Sequence, residues 1–554
     1  MGKISEFFGN PGFRTDVHLK ASIPYAKDSL NEVDSSESSD TSECKSLTKV
    51  ETDSSSSSDS IKVGKFNVAE NGEITTSIGF TGLKKNKTDV VLDWLVEVAG
   101  SQIMFFIMMV ILIGWAIVGI VLSAPFDWQV VMQDGQSIQC YIWDTLLMRQ
   151  QLMSAHEHMY ICAELGSRIT AFKKLLVNIT KESKGKNVDA NDHLPQFVEL
   201  NADLQDTTWY DRLATCVSKI LGSWYAIILF WCGIFVWIGC GALVIDAGNS
   251  PPYTGVTSGD NSQKTKFGNM WQMYINTATG VLLYLSTVFL QNIRARHDIF
   301  VARVINELFV MDVKIDRLLR DYCNDYKTEA DIVTVKAQKR TKGEIVIDWY
   351  GDIIGTGVGV FIGCLVFTVW IIVGHPMNWN DNWWLLIGTY TGLVGFLDGF
   401  VIRQNYFRNV NSEEENYEKV IAQDFELYSI LGIECPESLI HVPSTTNKSI
   451  TYRASVAVNK ICSHRYSVLA SIVFIIALIC IASGLRWSET GQLLANTPTM
   501  IIEAFFLLIL LQAHNWADIT RRAEIALLYN RRMFLLEYLG NRFGHAKVKS
   551  YSLT

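Results

Sequence analysis

The sequence of 554 residues lacks the residue patterns that several kinds of site require. Its eleven cysteines include no Cys-x-x-Cys spacing, so a high-affinity site for a soft metal is unsupported. It contains no Gly-x4-Gly-Lys sequence, which argues against transport driven by ATP. None of its ten histidines lies deep in an apolar run, so a haem between membrane helices would find no ligands. No nucleophile is placed for catalysis either, and we expect no enzyme, no cofactor and no nucleic-acid partner.

What the chain does have is long apolar runs, which come in pairs. A near-continuous run of the length that crosses a bilayer as a helix opens each pair, at 103–122, 224–245, 353–373 and 468–485. A shorter and more polar segment closes each pair, at 138–152, 275–290, 384–402 and 499–512. Because backbone in hydrocarbon must satisfy its own hydrogen bonds, we predict an all-α polytopic membrane protein with about eight transmembrane helices in four hairpins. Segment 138–152 is too polar to face lipid on all sides, so it either sits inside the bundle or does not span.

The distribution of charge predicts the orientation of these hairpins. Few Lys or Arg residues lie between the two helices of a hairpin, whereas the tails and the segments between hairpins hold nearly all of them. By the positive-inside rule, both termini are expected in the cytosol and the four hairpin tips outside.

Two kinds of polar segment flank the hairpins. Residues 1–87 form a tail rich in Ser, Asp and Glu for which we predict disorder, either as a solvated acidic tail or as a phosphorylated regulatory one. Past each closing helix the chain is charged, with apolar residues at helical spacing, as in 302–320 and 523–538. These predicted cytosolic helices either form a collar that packs the hairpins together or dock a regulator. The predicted units after the tail are the four hairpins with their cytosolic helices, at 88–182, 183–330, 331–440 and 441–554.

The four hairpins are of two kinds. Hairpins one and three open on Asp-Trp-x-x-acid-x-x-Gly-Ser/Thr, starting at Asp93 and at Asp348. Hairpins two and four begin their second helix with Asn-Thr-x-Thr, starting at Asn276 and at Asn496, which gives the order ABAB. An even number of spans per half preserves direction, so we expect the halves to be related by an axis along the membrane normal that also carries any pore. The polar second helices should then face inward and the apolar first helices should face lipid.

Three carboxylates lie within the closing helices, namely Asp144, Asp398 and Glu503. An Asp at the centre of a membrane helix costs about 2.5–3.5 kcal/mol, so something must compensate these groups. A path for cations would explain the matched positions of Asp144 and Asp398, each six residues before a Gln. Burial as ion pairs with Arg149 and Arg403, each five residues beyond an Asp, is the alternative. An offset of about 140° around the helix strains such a pair within one helix, which favours the cation path.

Further polar residues at the helix ends are candidate metal ligands. Four glutamines could form a ring of side-chain oxygens near the cytosolic mouth or could join helices to one another: Gln150, Gln291, Gln404 and Gln512. Asn276, at the outer end of its helix, has the same two interpretations.

Histidine and carboxylate ligands suit first-row metals, and several follow the glutamines closely. As a cytosolic exit station, or else as ordinary interfacial residues, the candidates are His156, Glu157, His297, Asp298 and His514. At the outer face His375 shares a tip with several tryptophans, which are typical of an interfacial belt, and it could capture metal there.

Two stretches of the sequence resemble a known family. Hairpin two contains Asn276-Thr-Ala-Thr-Gly and then Phe289-Leu-Gln-Asn with Arg296, and the chain opens with Met1-Gly-Lys-Ile-Ser-Glu-Phe-Phe-Gly-Asn-Pro. These residues resemble the low-affinity iron permease family, including its fungal plasma-membrane members, although only hairpin two carries the pattern intact. The resemblance implies uptake of iron(II) at the plasma membrane, with copper and zinc as lesser substrates. It also implies that a surface metal reductase supplies the reduced ion.

Together these observations predict a multi-pass permease that passes divalent metal down its electrochemical gradient. Moving two charges through a negative-inside potential yields about 4.6 kcal/mol per 100 mV, so no other source of energy is required. A membrane sensor or scaffold that acts through its cytosolic helices and tail is the alternative function.

Overall fold

The computed structural model describes residues 16–21, 62–63, 67–68, 74–75, 91, 94–95, 98–123, 125–182, 199–204, 208–243, 245–247, 264–440 and 450–543. Asp93 and most of the predicted disordered tail lie outside these residues.

Long and short helices alternate along the chain. In chain order the helices are α1 Gln102–Leu122, α2 Phe126–Glu182, α3 Trp209–Leu221, α4 Trp224–Leu243, α5 Asn269–Cys323, α6 Lys342–Ile354, α7 Gly357–Gly374, α8 Asp381–Leu431, α9 Ile450–Cys462, α10 Arg465–Gly484, α11 Glu489–Ala513 and α12 Ile519–Phe543, with a π-helical turn, His514–Asp518, between the last two. The four predicted opening spans correspond to α1, α4, α7 and α10. Each predicted closing span is only part of a continuous helix that begins earlier and extends much further, in α2, α5, α8 and α11–α12.

The prediction of an all-α polytopic membrane protein is confirmed. Among the described residues, seven helices are long and apolar enough to cross a bilayer: α1, α4, α5, α7, α8, α10 and the continuous α11–α12. The eighth predicted span lies in α2, which is not among these seven because its polar residues lower its mean hydropathy. It is continuous from Phe126 to Glu182, so segment 138–152 is a helix inside the bundle.

The second helices form the interior of the protein, as predicted. About one fifth of the most apolar window of α1, α4, α7 and α10 is buried, whereas more than 60% is buried in α5, α8 and α11–α12. Large apolar side chains such as Ile120 and Leu243 remain exposed on the first helices, which suits a surface that faces lipid.

The four long helices pack as a closed ring in the order α2, α8, α11–α12, α5. A two-fold axis through the centre of the ring would relate helices on opposite sides of it, that is, α2 to α11 and α5 to α8. The internal sequence repeat instead relates α2 to α8 and α5 to α11, and the helices of each of these pairs are neighbours in the ring. The predicted axis relating the two halves is therefore wrong, because tertiary packing places the like hairpins side by side.

Three hairpins are closed by a pair of stacked tryptophans that links the first helix to the second. The rings lie 3.8–4.4 Å apart and nearly parallel, and each indole N–H donates to the other residue's backbone carbonyl at 2.7–3.0 Å. The pairs are Trp115 with Trp128, Trp237 with Trp271, and Trp370 with Trp383. Trp383 is buried, so the interfacial-belt interpretation does not hold for it.

We call the end of the molecule where the hairpins turn the tip end, and the opposite end the bundle end.

At the bundle end, the helices that follow the spans share one large apolar core. It includes Leu165 and Phe172 of α2, Phe309 of α5, Leu427 of α8 and Leu535 of α12. This core confirms that the charged helices pack the hairpins together. Buried ion pairs cross it, because the Arg532 side chain reaches Asp312 at 3.3 Å and Asp424 at 2.9 Å.

A small sheet ties the amino-terminal segment to this end. Strand β1 (Val17–Lys20) pairs in parallel with β2 (Lys62–Val63) and antiparallel with the strand that follows α5, Val333–Val335. Val17 and Leu19 are buried against the bundle-end core. The prediction of disorder throughout residues 1–87 is therefore wrong for 16–21. Two further short pairs join Asn67–Val68 to Ile74–Thr75 and Ile245–Ala247 to Lys264–Lys266.

We predict that the tryptophan pairs hold the hairpins closed. Trp128→Ala removes a large ring and the hydrogen bond from its indole N–H to the Trp115 carbonyl, so the free energy of unfolding should fall by about 3–5 kcal/mol. Trp128→Phe keeps an aromatic ring but loses the indole donor, and should cost about 1 kcal/mol. Thermal denaturation of the detergent-purified protein measures both, with Trp349→Ala at a 65% exposed position as the control. Equal melting of Trp128→Ala and the control would contradict the prediction.

Candidate metal pathway

The three predicted intramembrane carboxylates meet inside the ring. Asp144 of α2 interacts electrostatically with Glu503 of α11 and with Asp398 of α8. We call these three side chains the carboxylate layer. Asp144 and Glu503 line one cavity of about 50 Å³ and keep part of their surface exposed to it. Three like charges so close together repel one another, and either a proton or a bound cation relieves that repulsion.

Glycine on α8 makes room for these acids. A Cβ at Gly395 would lie only 3.1 Å from Glu503 Oε1, so a larger residue there would displace the carboxyl. The Cys140 thiol of α2 forms a side-chain hydrogen bond with Glu503. Cys140 in turn accepts a hydrogen bond from Gln136 Nε2 at 2.9 Å. Neighbouring helices therefore fix the position of Glu503.

Asp398 differs from the other two carboxylates because it is fully buried. The Tyr350 hydroxyl of α6 donates to Asp398 Oδ1 at 2.7 Å, and Oδ2 has no hydrogen-bond partner within the described protein. Arg403 does not pair with Asp398. Its guanidinium donates to the Phe506 carbonyl at 2.6 Å and to Asn459 Oδ1 at 3.1 Å, and it lies over the Phe506 ring. The ion-pair alternative is therefore wrong for Asp398.

A second polar layer lies nearer the tip end and contains a carboxylate that the sequence analysis missed. Asp134 of α2 is 4% exposed, and neither of its oxygens has a hydrogen-bond partner in the described protein. Around it are Gln133, Asn276 of α5, Asn496 of α11 and the backbone of Gly388 in α8. We call these residues the tip-side layer. Asp134 lies outside the predicted closing segment 138–152, because α2 begins at 126 rather than near 138.

A larger cavity of about 690 Å³ lies on the bundle side of the carboxylate layer, and we call it the chamber. Six carboxylates line it: Glu157, Asp298, Glu413, Glu414, Asp518 and Glu524. Four arginines also line it: Arg149, Arg294, Arg403 and Arg521. Arg403 and Leu510 line both the chamber and the small cavity, so they stand between the two. The excess of acid makes the chamber suited to a cation.

Histidines and acids predicted as an exit station do come together at the chamber. His514 Nδ1 lies 2.9 Å from Asp518 Oδ2 across the π-helical turn, and His297 Nε2 lies 4.0 Å from Asp518 Oδ1. Asp298 accepts a hydrogen bond from Gln150 Nε2, and Glu157 lines the same chamber. π-Helical turns occur often at functional sites, and this one places two of the polar groups on one face.

Comparison with known proteins supports one family for this arrangement. The sequence model for low affinity iron permeases matches residues 344–422 and 451–528. A low-affinity Fe(2+) transport protein of Saccharomyces cerevisiae is 54% identical over 551 residues, which are 98% of this chain and 99% of that protein. The low-affinity iron/zinc ion transport protein of Schizosaccharomyces pombe is 39% identical over 452 residues, 81% of this chain and 73% of that protein. The chain belongs to the low-affinity iron permease family. No solved structure matches it.

The resemblance drawn from the sequence is confirmed over nearly the whole chain, although the family model itself matches other hairpins than the one that suggested it. The family model matches α6 to α8 and α9 to the start of α12, which are hairpins three and four. The intact pattern was found in hairpin two instead. As a member of a permease family the chain is a membrane transporter, and the expectation that it is not an enzyme holds.

Several candidate ligands of this permease lie apart from the pathway. Gln150 lines the chamber and Gln291 the small cavity, whereas Gln404 and Gln512 line neither. The four glutamines therefore do not form one ring. His375 is exposed at the tip end and lines neither cavity. The side chain of His156 lies outside the described part of the protein.

The permease has no compact metal centre in its described residues. Among them, no three His, Cys, Asp or Glu side chains are arranged to hold one ion together. The repeated Asp-Trp motif is structural in hairpin three, because Asp348 is buried against Arg408 of α8 and lies 3.3 Å from Arg340.

We predict that Tyr350 holds Asp398 in place in this permease. Tyr350→Phe removes the hydrogen bond from the Tyr350 hydroxyl to that buried carboxyl and should lower the free energy of unfolding by about 1–3 kcal/mol. Thermal denaturation of the purified protein is the measurement. Tyr225→Phe, which removes a hydroxyl from a side chain that is 79% exposed, serves as the control. The prediction fails if Tyr350→Phe and Tyr225→Phe unfold at the same temperature.

Proposed function

We propose that this permease takes up iron(II) across the plasma membrane, with zinc and copper as lesser substrates, along the centre of the four-helix ring. The observation that carries the proposal is the meeting of Asp144, Asp398 and Glu503, from three different helices, at membrane depth. Intramembrane carboxylates on a bundle interior mark ion pathways because their burial is otherwise costly. The ion would pass from the tip-side layer to the carboxylate layer and then to the chamber.

The direction of transport follows from the charge distribution. The tip end carries few Lys or Arg residues and the bundle end carries most of them, so the positive-inside rule puts the tips outside and both termini in the cytosol. A divalent cation entering at the tips moves down a negative-inside potential, which supplies about 4.6 kcal/mol per 100 mV for two charges. Uniport along this gradient therefore needs no ATP.

Low affinity fits the ligands that the pathway offers. Each layer presents few carboxylates, and no group of three His, Cys, Asp or Glu side chains among the described residues could chelate an ion. Conduction requires sites that bind an ion weakly enough to release it, and separated oxygen ligands do this for a partly hydrated ion. Such sites also discriminate poorly between first-row divalent metals.

The relatives support the choice of substrates. The Saccharomyces cerevisiae relative is named for Fe(2+) transport and the Schizosaccharomyces pombe relative for iron and zinc. Copper is proposed from the family resemblance alone. Iron(III) hydrolyses near neutral pH, so we expect a surface reductase to supply the iron(II) that enters at the tips.

Neutral substitutions in the carboxylate layer test the proposal. Asp144→Asn and Glu503→Gln keep the side-chain size and remove one negative charge each. We expect initial uptake of radioactive iron(II) to fall about tenfold or more, the equivalent of about 1.4 kcal/mol of lost interaction with the ion. The assay uses cells without other iron uptake, normalised to the amount of protein at the surface. Glu415→Gln, at an exposed bundle-end residue paired with Lys419, is the control and should transport normally. Wild-type uptake by both pathway variants would refute the proposal.

A sensor or scaffold function is the second candidate, because strand β1 pairs the amino-terminal segment with Val333–Val335 at the bundle end. Deletion of residues 24–58 spares β1 and β2 and removes most of the acidic, Ser-rich stretch. We expect this variant to retain at least about half of the iron(II) uptake, since no pathway residue is touched. Loss of uptake on this deletion, together with normal uptake by Asp144→Asn, would favour the scaffold.

A further inference from the structure

Asp134 is a buried carboxylate that neither the packing nor the carboxylate layer explains. It is 4% exposed, yet both carboxyl oxygens lack a hydrogen-bond partner within the described protein. A buried carboxylate without a donor costs several kcal/mol relative to water unless a cation or a proton compensates it. The side chain therefore points to a ligand.

The surroundings of Asp134 are built from all four long helices. Gln133 and Asp134 come from α2, Asn276 from α5 and Asn496 from α11, while α8 contributes Gly388. A Cβ at Gly388 would lie 2.9 Å from Asp134 Oδ1 and 3.2 Å from Gln133 Nε2. The absence of a side chain at Gly388 thus makes room for the Asp134 carboxyl against α8.

The side-chain nitrogens of the two asparagines have hydrogen-bond partners in the described protein, whereas their side-chain oxygens do not. Asn276 Nδ2 donates to Gln133 Oε1 at 3.5 Å, and Asn496 Nδ2 donates to Met500 Sδ at 3.4 Å. Both Oδ1 atoms are left without a hydrogen-bond partner in the described protein. The hydroxyls of Thr279 and Thr499 bond back to the carbonyls of Asn276 and Asn496, at 3.1 and 2.7 Å. The repeated Asn-Thr-x-Thr sequence therefore has the same local geometry in both helices.

One carboxylate and two amide oxygens match the preference of a hydrated divalent cation. Such an ion accepts oxygen ligands and keeps part of its water shell when few protein ligands are available. Asp134 precedes Asp144 by ten residues on one helix, or about 15 Å along the axis. An ion at Asp134 would thus be bound separately from an ion at the carboxylate layer.

We propose that Gln133, Asp134, Asn276 and Asn496 form an entry site that captures a partly hydrated divalent metal ion before it reaches the carboxylate layer. This inference rests on the proposed function, which puts the tip end outside. The entry site determines how readily the ion is taken from solution. The carboxylate layer determines how fast it crosses.

The kinetic test measures KM and maximal velocity separately, using radioactive iron(II) kept reduced by ascorbate and normalised to surface protein. Asp134→Asn should raise KM about tenfold and lower maximal velocity much less, because the lost charge acts on capture. Asp134→Glu should restore most of the affinity. Gly388→Ala, which leaves every charge in place but crowds the carboxyl, should also raise KM. Asp127→Asn, which changes an exposed acid seven residues before Asp134 in the first turn of α2, is the matched control.

A binding test does not depend on transport. Iron(II) with peroxide generates hydroxyl radicals that cut backbone near the bound metal, so the detergent-purified full-length protein should be cleaved close to residue 134. That cleavage should disappear in Asp134→Asn and persist in Asp127→Asn and Asp144→Asn. The entry site is refuted if Asp134→Asn keeps both its KM and its cleavage pattern while Asp144→Asn is impaired. Normal uptake by Asp144→Asn with cleavage at 134 intact would instead refute the proposed route and leave the entry site standing.

Discussion

The structure depends on the cost of placing carboxylates at membrane depth. Asp134, Asp144, Asp398 and Glu503 all lie on long helices that form a closed ring, and the apolar helices α1, α4, α7 and α10 cover that ring. Charge in hydrocarbon is so unfavourable that each acid must face protein, water or an ion. The division into lipid-facing first helices and polar second helices follows directly from this requirement.

Close packing decides where these acids can point. Gly388 and Gly395 leave space on α8 for acids of α2 and α11, so that the ring contains cavities at the depth of the carboxylates. The stacked tryptophans fix the first helix of three hairpins against the second, and the bundle-end core holds the long helices together beyond the spans. Packing at both the tip end and the bundle end therefore keeps single, weak ligands in position. The proposed pathway, which has no compact metal centre among the described residues, requires this.

The sequence predicted those parts that a one-dimensional pattern encodes. The apolar spans were placed within a few residues, and Asp144, Asp398 and Glu503 were identified because charge stands out in an apolar segment. Asp134 was missed because α2 is too polar for hydropathy to show where it begins. The ring order could not be read from the repeats either, since internal similarity relates α2 to α8 without saying that they are neighbours. The glutamines occupy similar places in the four hairpins, but Gln150 and Gln291 line different cavities and Gln404 and Gln512 line neither.

Arg403 shows why Asp398 is not simply one half of a structural ion pair. Arg403 lies between the small cavity and the chamber, where it is held by the Phe506 carbonyl and by Asn459 of α9 rather than by Asp398. An arginine paired directly with Asp398 would remove that carboxylate's share of the negative charge in the carboxylate layer. Arg403 instead separates the carboxylate layer from the acid-rich chamber, so the charge along the axis alternates from negative to positive to negative. On the proposed route, an ion leaving the carboxylate layer would find a second group of acids nearby, and the positive charge of Arg403 between them would limit how long the ion stays at the first.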